Sequence, residues 1–208
     1  MEFLIQGNGT IKLKKDFTLG KDYIFINDEL IAIDESENSG SEGRIFEIKN
    51  DLNALLGTNI FNKSLNTLSF LEDMFQEFQP FLKQLESGCY IISIGQLDYK
   101  VITSATFNYH PFFVDSEYVY SIKNKEKLSR KKIQQYKKDI EIGKKFISIL
   151  LKYHCLIENE YIETPFYLLD GHHKVQAYKE LALSPFYLII NRKVKELYQM
   201  DIDYDSIK

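Results

Sequence analysis

The chain has 208 residues, of which 44% are hydrophobic and 27% are charged, a balance that excludes wholesale disorder. A chain of this length forms one or two domains and can bury a core without disulfides or metal ions. This sequence contains no apolar run near the ~18 residues of a membrane span. Because the N-terminus lacks the features of a signal peptide, we expect a cytoplasmic protein in which Cys89 and Cys155 are reduced thiols.

Basic residues are concentrated in one part of the sequence. Residues 1–120 carry a net charge of −9, residues 121–152 carry +8 and residues 153–208 carry −3. Such a block indicates either a face that binds phosphates or an acidic partner, or a solvated helix face that offsets the acidic remainder. Nucleic-acid binding is not expected, because the lysines are not interleaved with arginines or exposed aromatic residues and the whole chain is acidic.

The first half of the chain predicts hairpins and one long helix. Turn residues at Gly7-Asn8-Gly9 and at Asn27-Asp28 lie between short apolar runs and predict two β-hairpins. A third hairpin is predicted to join residues 89–94 to residues 99–107. Between these elements, apolar residues recur every three or four positions over residues 65–85, which predicts one long amphipathic helix.

The basic segment predicts a second helix, over residues 129–152. Ser129 is suited to cap its N-terminus, and Gly143 inside it predicts a break or a close packing contact. Lysine doublets lie opposite one apolar face. That face is formed by Ile133, Tyr136, Ile140, Ile147, Leu150 and His154.

The last part of the chain predicts a strand, a turn, a helix and a strand. The strands cover residues 166–169 and 186–190, the turn is Asp170-Gly171, and the helix covers residues 172–183. A right-handed crossover would make the two strands parallel. The residues expected to share one core in this unit are Leu169, Ala177, Leu181 and Ile189.

The turn and the start of this helix are the only part of the sequence in which chemistry is visible. The first amides of a helix and its dipole form an anion site, and His172, His173 and Lys174 lie there. A cation at this position costs ~0.3–1 kcal/mol unless an anion binds. Two other interpretations stay open: a plain turn in which Asp170 caps the helix beside surface histidines, and a zinc site that also uses His154.

The same stretch carries a family resemblance. Leu168-Leu169-Asp170-Gly171-His172-His173-Lys174, followed by Ala177, resembles the Asp-Gly-His-His-Arg signature of the ParB/sulfiredoxin superfamily, and the order of elements is similar over about residues 115–195. The resemblance does not extend to residues 1–110; taken together with the patterns of the first half, it predicts an α+β protein of two parts. Residues 1–112 would be a strand-rich region with the long amphipathic helix, of unknown role, and residues 113–208 a ParB/sulfiredoxin-like mixed α/β domain.

The resemblance also implies a function and a set of site residues. In such a protein Gly171 would let a phosphate approach closely, and His172, His173 and Lys174 would bind its oxygens. Asp170 would hold Mg²⁺ or orient an acceptor hydroxyl, so that Asp170, His172 and His173 would be the catalytic residues. The ligand would be a nucleoside triphosphate with Mg²⁺ or another phosphate compound, and the reaction nucleotide hydrolysis or phosphotransfer to a small molecule.

The sequence departs from the family pattern at Lys174 and at His172. Lys174 stands where the family has arginine, which replaces a bidentate fork by a point charge. His172 stands where sulfiredoxin has its catalytic cysteine, so that activity is not expected. Glu117 and Glu126 are the only nearby candidates for the base that the kinases of the family use. The alternative is a non-catalytic interaction protein, of immunity or regulatory type, that presents the lysine-rich helix 129–152 to an acidic protein partner.

Overall fold

In the computed structural model of the protein, the described residues form mainly β-strands, with two α-helices and a further helical stretch over residues 78–82, which confirms the mixed α and β content. No helix within the described residues is long and apolar enough to cross a membrane. The residues described are 2–16, 19–36, 43–50, 78–103, 108–109, 118–157 and 160–194.

The strands are numbered along the chain, and the two helices separately. The helices are α1 (Arg130–Glu141) and α2 (His172–Glu180). The strands are β1 (Glu2–Ile5), β2 (Ile11–Asp16), β3 (Lys21–Ile26), β4 (Glu29–Ser36), β5 (Gly43–Ile48), β6 (Gly88–Gln96), β7 (Lys100–Thr103), β8 (Asn108–Tyr109), β9 (Tyr118–Ser121), β10 (Ile147–Ile157), β11 (Glu160–Glu163), β12 (Phe166–Asp170) and β13 (Phe186–Val194).

The described strands form two sheets. The larger has eight strands in the order β1-β6-β13-β10-β12-β9-β7, with β11 paired to β10, and the smaller has five in the order β2-β3-β4-β5-β8. In the larger sheet β10 runs parallel to β13 and antiparallel to β12. The larger sheet therefore contains strands from both sides of residue 112, while the predicted domain boundary itself lies outside the described residues.

One of the three predicted hairpins is confirmed. β3 and β4 pair around Asn27 and Asp28, whose φ angles of 53° and 63° suit a tight hairpin turn. The hairpin at Gly7–Gly9 is wrong, because β1 pairs with β6 whereas β2 pairs with β3 in the other sheet. The hairpin between residues 89–94 and 99–107 is also wrong, because β6 pairs with β1 and β13 while β7 pairs with β9. Of the predicted helix over residues 65–85, only the part from residue 78 lies within the described residues, and residues 78–82 are helical.

The core lies on both faces of the larger sheet. Between the sheets, Leu13 and Ile24 of the smaller sheet belong to the same buried cluster as Ile149 and Leu188 of the larger one. On the opposite face, Val175 of α2 packs with Leu150 and other apolar residues of the larger sheet. A third cluster joins α1 to α2. The helices therefore lie on the face of the larger sheet that is turned away from the smaller sheet.

The predicted helix 129–152 is too long. Ser129 caps α1 as predicted, since its Oγ accepts the amide hydrogen of Lys132 at 3.4 Å, but α1 ends at Glu141. Gly143 follows with a φ of +89°, a left-handed conformation that helices commonly end on. The apolar run after it forms β10. The lysine doublets therefore do not continue along one helix face.

The predicted parallel crossover is also wrong. β12 and β13 lie in the same sheet, but on opposite sides of β10, and they run antiparallel to each other. Ile149 of β10 lies between Asp170 on one side and Leu188 on the other. The end of β12 and the start of β13 therefore lie at the same end of β10. A short α2 covers this end without returning along the sheet. Leu169 and Ala177 are buried as predicted, but in different clusters, and Leu181 and Ile189 are only partly buried.

Candidate functional site

Gly171 turns the chain from β12 into α2, at a position where any side chain would be both strained and crowded. Its φ is +90°, a conformation that side chains disfavour. A Cβ at this position would lie 2.3 Å from Oγ and 2.6 Å from Cβ of Ser148 on β10. The glycine thus lets α2 begin directly against the sheet. As the N-cap residue it offers no side chain to the first amides of α2.

His172 is the first residue of α2 and is buried, with 7% of its surface exposed. Burial lowers its pKa to about 3, and nearby Lys123 adds to the effect, while a hydrogen bond with the Leu168 backbone opposes it. The imidazole is therefore neutral at pH 7. Its Nε2 is buried and has no hydrogen-bond partner among the described residues.

His173 is half-buried and connects the starts of the two helices. Its Nε2 accepts the amide hydrogen of Ser129 at 3.0 Å. Burial lowers the pKa of His173 to about 4, with further contributions from Lys132 and Lys123. This imidazole is neutral at pH 7 as well. The charge conflict expected from two histidines in the first turn is therefore absent.

Lys174 faces the interior, with 3% of its surface exposed. Its Nζ donates to the carbonyl oxygen of Ile147 at 3.1 Å and lies 3.8 Å from Oδ2 of Asp170. Burial lowers the pKa of Lys174, and Asp170 opposes that shift. Its ammonium thus joins α2 to the start of β10. The structure brings Asp170 and Lys174 together, but within the fold and not at the open end of the helix.

Two other lysines supply the positive charge at this site. Lys123 and Lys132 both lower the pKa of His173, and neither makes an ion pair within the described residues. Lys123 follows β9, and Lys132 lies in the first turn of α1. In the sequence they bound a stretch in which six of the ten residues from 123 to 132 are basic.

The first turns of α1 and α2 meet at this point, and neither contains an acidic residue. Acidic side chains normally stabilise helix N-termini, and cations there are unfavourable. The bond between the Ser129 amide and His173 holds the two positive helix ends close together. This arrangement concentrates positive potential, which a bound anion would relieve. We call this place the helix junction: residues 123, 129–132 and 171–173.

Within the described part of the chain, the side chains do not form a metal centre on their own. The described residues contain no group of three or more side chains that could hold an ion. Asp170 is the one carboxylate of the motif, and it faces the ammonium of Lys174. Mg²⁺ is often held by one carboxylate together with substrate phosphates, so Asp170 fits only an ion that arrives with a nucleotide. Of the candidate bases, Glu126 is exposed in a short 3-10 helix and Glu117 lies outside the described residues.

Sequence reasoning found the turn and the helix start but missed half of the junction. The Ser129 amide and Lys123 were not singled out as site groups, because they come from elements that precede the motif by about 40 to 50 positions. The one signal available was the density of basic residues immediately before and after Ser129. The pairing of Lys174 with Ile147 depends on the course of β10, which the sequence pattern predicted as helix.

No protein-family model matches the chain, and neither does any curated protein or any solved structure. The ParB/sulfiredoxin resemblance therefore stays a prediction from the motif.

Proposed function

We propose that this chain binds a phosphoryl group, carried by a nucleotide or another phosphate compound, at the helix junction. The observation that carries the proposal is the meeting of two helix N-termini without an acidic residue in either first turn. The ligand would accept hydrogen bonds from the first amides of α2 and charge stabilisation from Lys123 and Lys132. Such a site agrees with what the ParB/sulfiredoxin resemblance implies.

In this proposal the residues of the motif do not all contact the phosphate. Gly171 supports the proposal by bringing α2 against the sheet with its first amides uncapped. Lys174 acts through position, because its ammonium bonds Ile147 and faces Asp170. A catalytic activity, whether nucleotide hydrolysis or phosphotransfer to a small molecule, would depend on Asp170 as the group that orients an acceptor or an ion brought by the nucleotide.

The binding part of the proposal is tested with inorganic phosphate, tripolyphosphate and ATP with Mg²⁺. A ligand at 100 times its Kd raises the free energy of unfolding by about 2.7 kcal/mol, which thermal unfolding detects. Calorimetry then gives the affinity. Lys123→Ala and Lys132→Ala should each weaken binding about tenfold, equal to about 1.4 kcal/mol.

Lys138→Ala is the matched control for these variants. Lys138 is exposed and lies in the last turn of α1, away from the junction, and its removal changes the net charge by the same amount. It should leave affinity within about twofold. Equal losses from all three variants would show a nonspecific charge effect, and no binding by any of the three ligands would contradict the proposal.

A second candidate function, binding of an acidic protein partner, is favoured by the exposed lysines of α1. Lys131 and Lys138 are exposed and make no ion pair within the described residues. Reversal of Lys138, which lies in the last turn of α1 away from the junction, to glutamate should then weaken salt-sensitive binding of a partner and leave phosphate binding nearly unchanged. The two functions are therefore distinguished because different variants should weaken phosphate binding and partner binding.

A further inference from the structure

The two nitrogens of His173 have different roles. Nε2 accepts the amide hydrogen of Ser129, and the imidazole is neutral at pH 7 because burial and two lysines lower its pKa to about 4. A neutral imidazole that accepts through one nitrogen carries its proton on the other. The proton of His173 is therefore on Nδ1, and no described group accepts a hydrogen bond from it.

His172 is arranged differently, although it is the next residue. It bonds the Leu168 backbone, and since Nε2 has no partner this bond is made by Nδ1. Its proton is thus already used within the protein. The remaining Nε2 is a buried polar atom without a partner, in a residue 7% exposed, and such atoms are rare in folded proteins. Besides burial, the nearby Lys123 and His173 lower the pKa of this imidazole, so this unpartnered atom belongs to the helix junction.

We propose that the backbone amide of Ser129 fixes His173 in the Nδ1–H tautomer, and that His173, and not His172, is therefore the neutral imidazole donor to the bound phosphoryl group. Ser129 is a positioning residue in this arrangement, because its amide acts through His173. The inference rests on the proposed phosphate site and adds which of the two adjacent histidines determines its hydrogen bonding. It also gives the start of α1 a role in a site that belongs to α2.

The backbone at residue 129 allows the amide to be removed. Ser129 has φ −68° and ψ 114°, close to the φ that proline requires, and Leu128 before it is extended at φ −77° and ψ 129°, as a residue before proline must be. Ser129→Pro therefore fits the backbone, removes the donor and leaves Nε2 of His173 without the hydrogen bond that fixes its tautomer. Ser129→Ala keeps the amide and removes only the side-chain cap on Lys132.

The comparison of these two variants isolates the amide, because both lack the cap. Nitrogen-15 NMR of the imidazoles in the full chain should show the His173 proton on Nδ1 in the wild type and in Ser129→Ala, and lose that signature in Ser129→Pro. Calorimetry with inorganic phosphate should give at least tenfold weaker binding for Ser129→Pro than for Ser129→Ala.

A second pair of variants tests the donor itself and does not depend on the folding of Ser129→Pro. His173→Asn places an amide nitrogen where Nδ1 stands, whereas His173→Phe keeps a ring without a donor. Phosphate should bind at least tenfold more tightly to His173→Asn than to His173→Phe.

The outcomes separate this inference from the proposed function. A His173 proton on Nε2, equal phosphate affinity of Ser129→Pro and Ser129→Ala, or equal loss in His173→Asn and His173→Phe overturns the inference and leaves the phosphate site standing. A wild-type protein that binds none of phosphate, tripolyphosphate and ATP with Mg²⁺ overturns the proposed function, and the inference with it.

Discussion

Replacement of Gly171 by alanine should strongly destabilise the protein, because two separate penalties meet at this residue. A residue with a side chain at φ +90° costs about 1–2 kcal/mol relative to glycine. The added Cβ would also lie 2.3, 2.6 and 2.9 Å from Oγ, Cβ and Cα of Ser148, and forced overpacking costs about 1–3 kcal/mol. We therefore expect Gly171→Ala to lower the free energy of unfolding by about 2–5 kcal/mol.

Gly143→Ala provides a matched control for the backbone penalty. Gly143 has a φ of +89°, and a Cβ there would meet nothing within 4 Å. Gly143→Ala should therefore lower the free energy of unfolding by about 1–2 kcal/mol, which is the conformational penalty alone. Urea denaturation of both variants gives the two free energies, and the difference between them measures the contact with Ser148.

A double-mutant cycle tests the assignment to Ser148. In Gly171→Ala with Ser148→Gly, the two shortest contacts disappear and only the approach to Cα at 2.9 Å remains. The double variant should be more stable than the sum of the single losses predicts, with a favourable coupling of about 1 kcal/mol or more. Equal losses for Gly171→Ala and Gly143→Ala, or no coupling in the cycle, would refute the close approach of α2 to β10.

Three further substitutions test the packing and charge of the fold. Tyr187 is fully buried and its hydroxyl has no partner within the described residues, so Tyr187→Phe should raise the free energy of unfolding by about 1 kcal/mol; a loss in urea denaturation would show that the hydroxyl is satisfied. The hydroxyl of Tyr167 on β12 lies 2.9 Å from Oδ2 of Asp22 and 2.6 Å from Oδ2 of Asp34 in the other sheet, and it donates its one hydrogen to one of these carboxyl groups. Tyr167→Phe should therefore cost about 1.5–3 kcal/mol, and a neutral result would contradict this link between the sheets. Hydrogen bonds with Gln176 on α2 and with two basic residues of α1 lower the pKa of Glu180 to about 2. The stability that Glu180 contributes is therefore present above about pH 4.5 and is lost as the pH falls towards 2. Glu180→Gln should reduce the pH dependence of the free energy of unfolding in that window, and an unchanged dependence would exclude the contribution.

The sequence predicted the elements around the site better than their pairing. The strand, the Asp170-Gly171 turn and the helix that begins at residue 172 are where the pattern indicates, because the turn chemistry is local. The region after Gly143 is predicted as helix because Ile147 and Leu150 continue a spacing of three and four. A continuous apolar run fits a strand that is buried on both faces equally well, and periodicity alone does not distinguish the two.

The pairing depends on contacts that no local pattern contains. A strand, a helix and a strand in succession predict parallel neighbours, but β10 lies between β12 and β13, parallel to β13 and antiparallel to β12. In the same way, the interior position of Lys174 is set by the carbonyl of Ile147, and the tautomer of His173 by the amide of Ser129. Residue types were thus predictable at the site, whereas their partners come from elsewhere in the chain.

The strand order of the larger sheet has a consequence for the way the chain is made. β6 and β10 both pair with β13, which is the last strand described, so each stays without that neighbour until the ribosome has released residue 194. The hairpin of β3 and β4 needs only neighbouring residues and can form much earlier. Exposed strand edges recruit other chains. During synthesis β6 and β10 therefore each have one edge unpaired until β13 is available. A chain truncated before β13 should aggregate instead of folding.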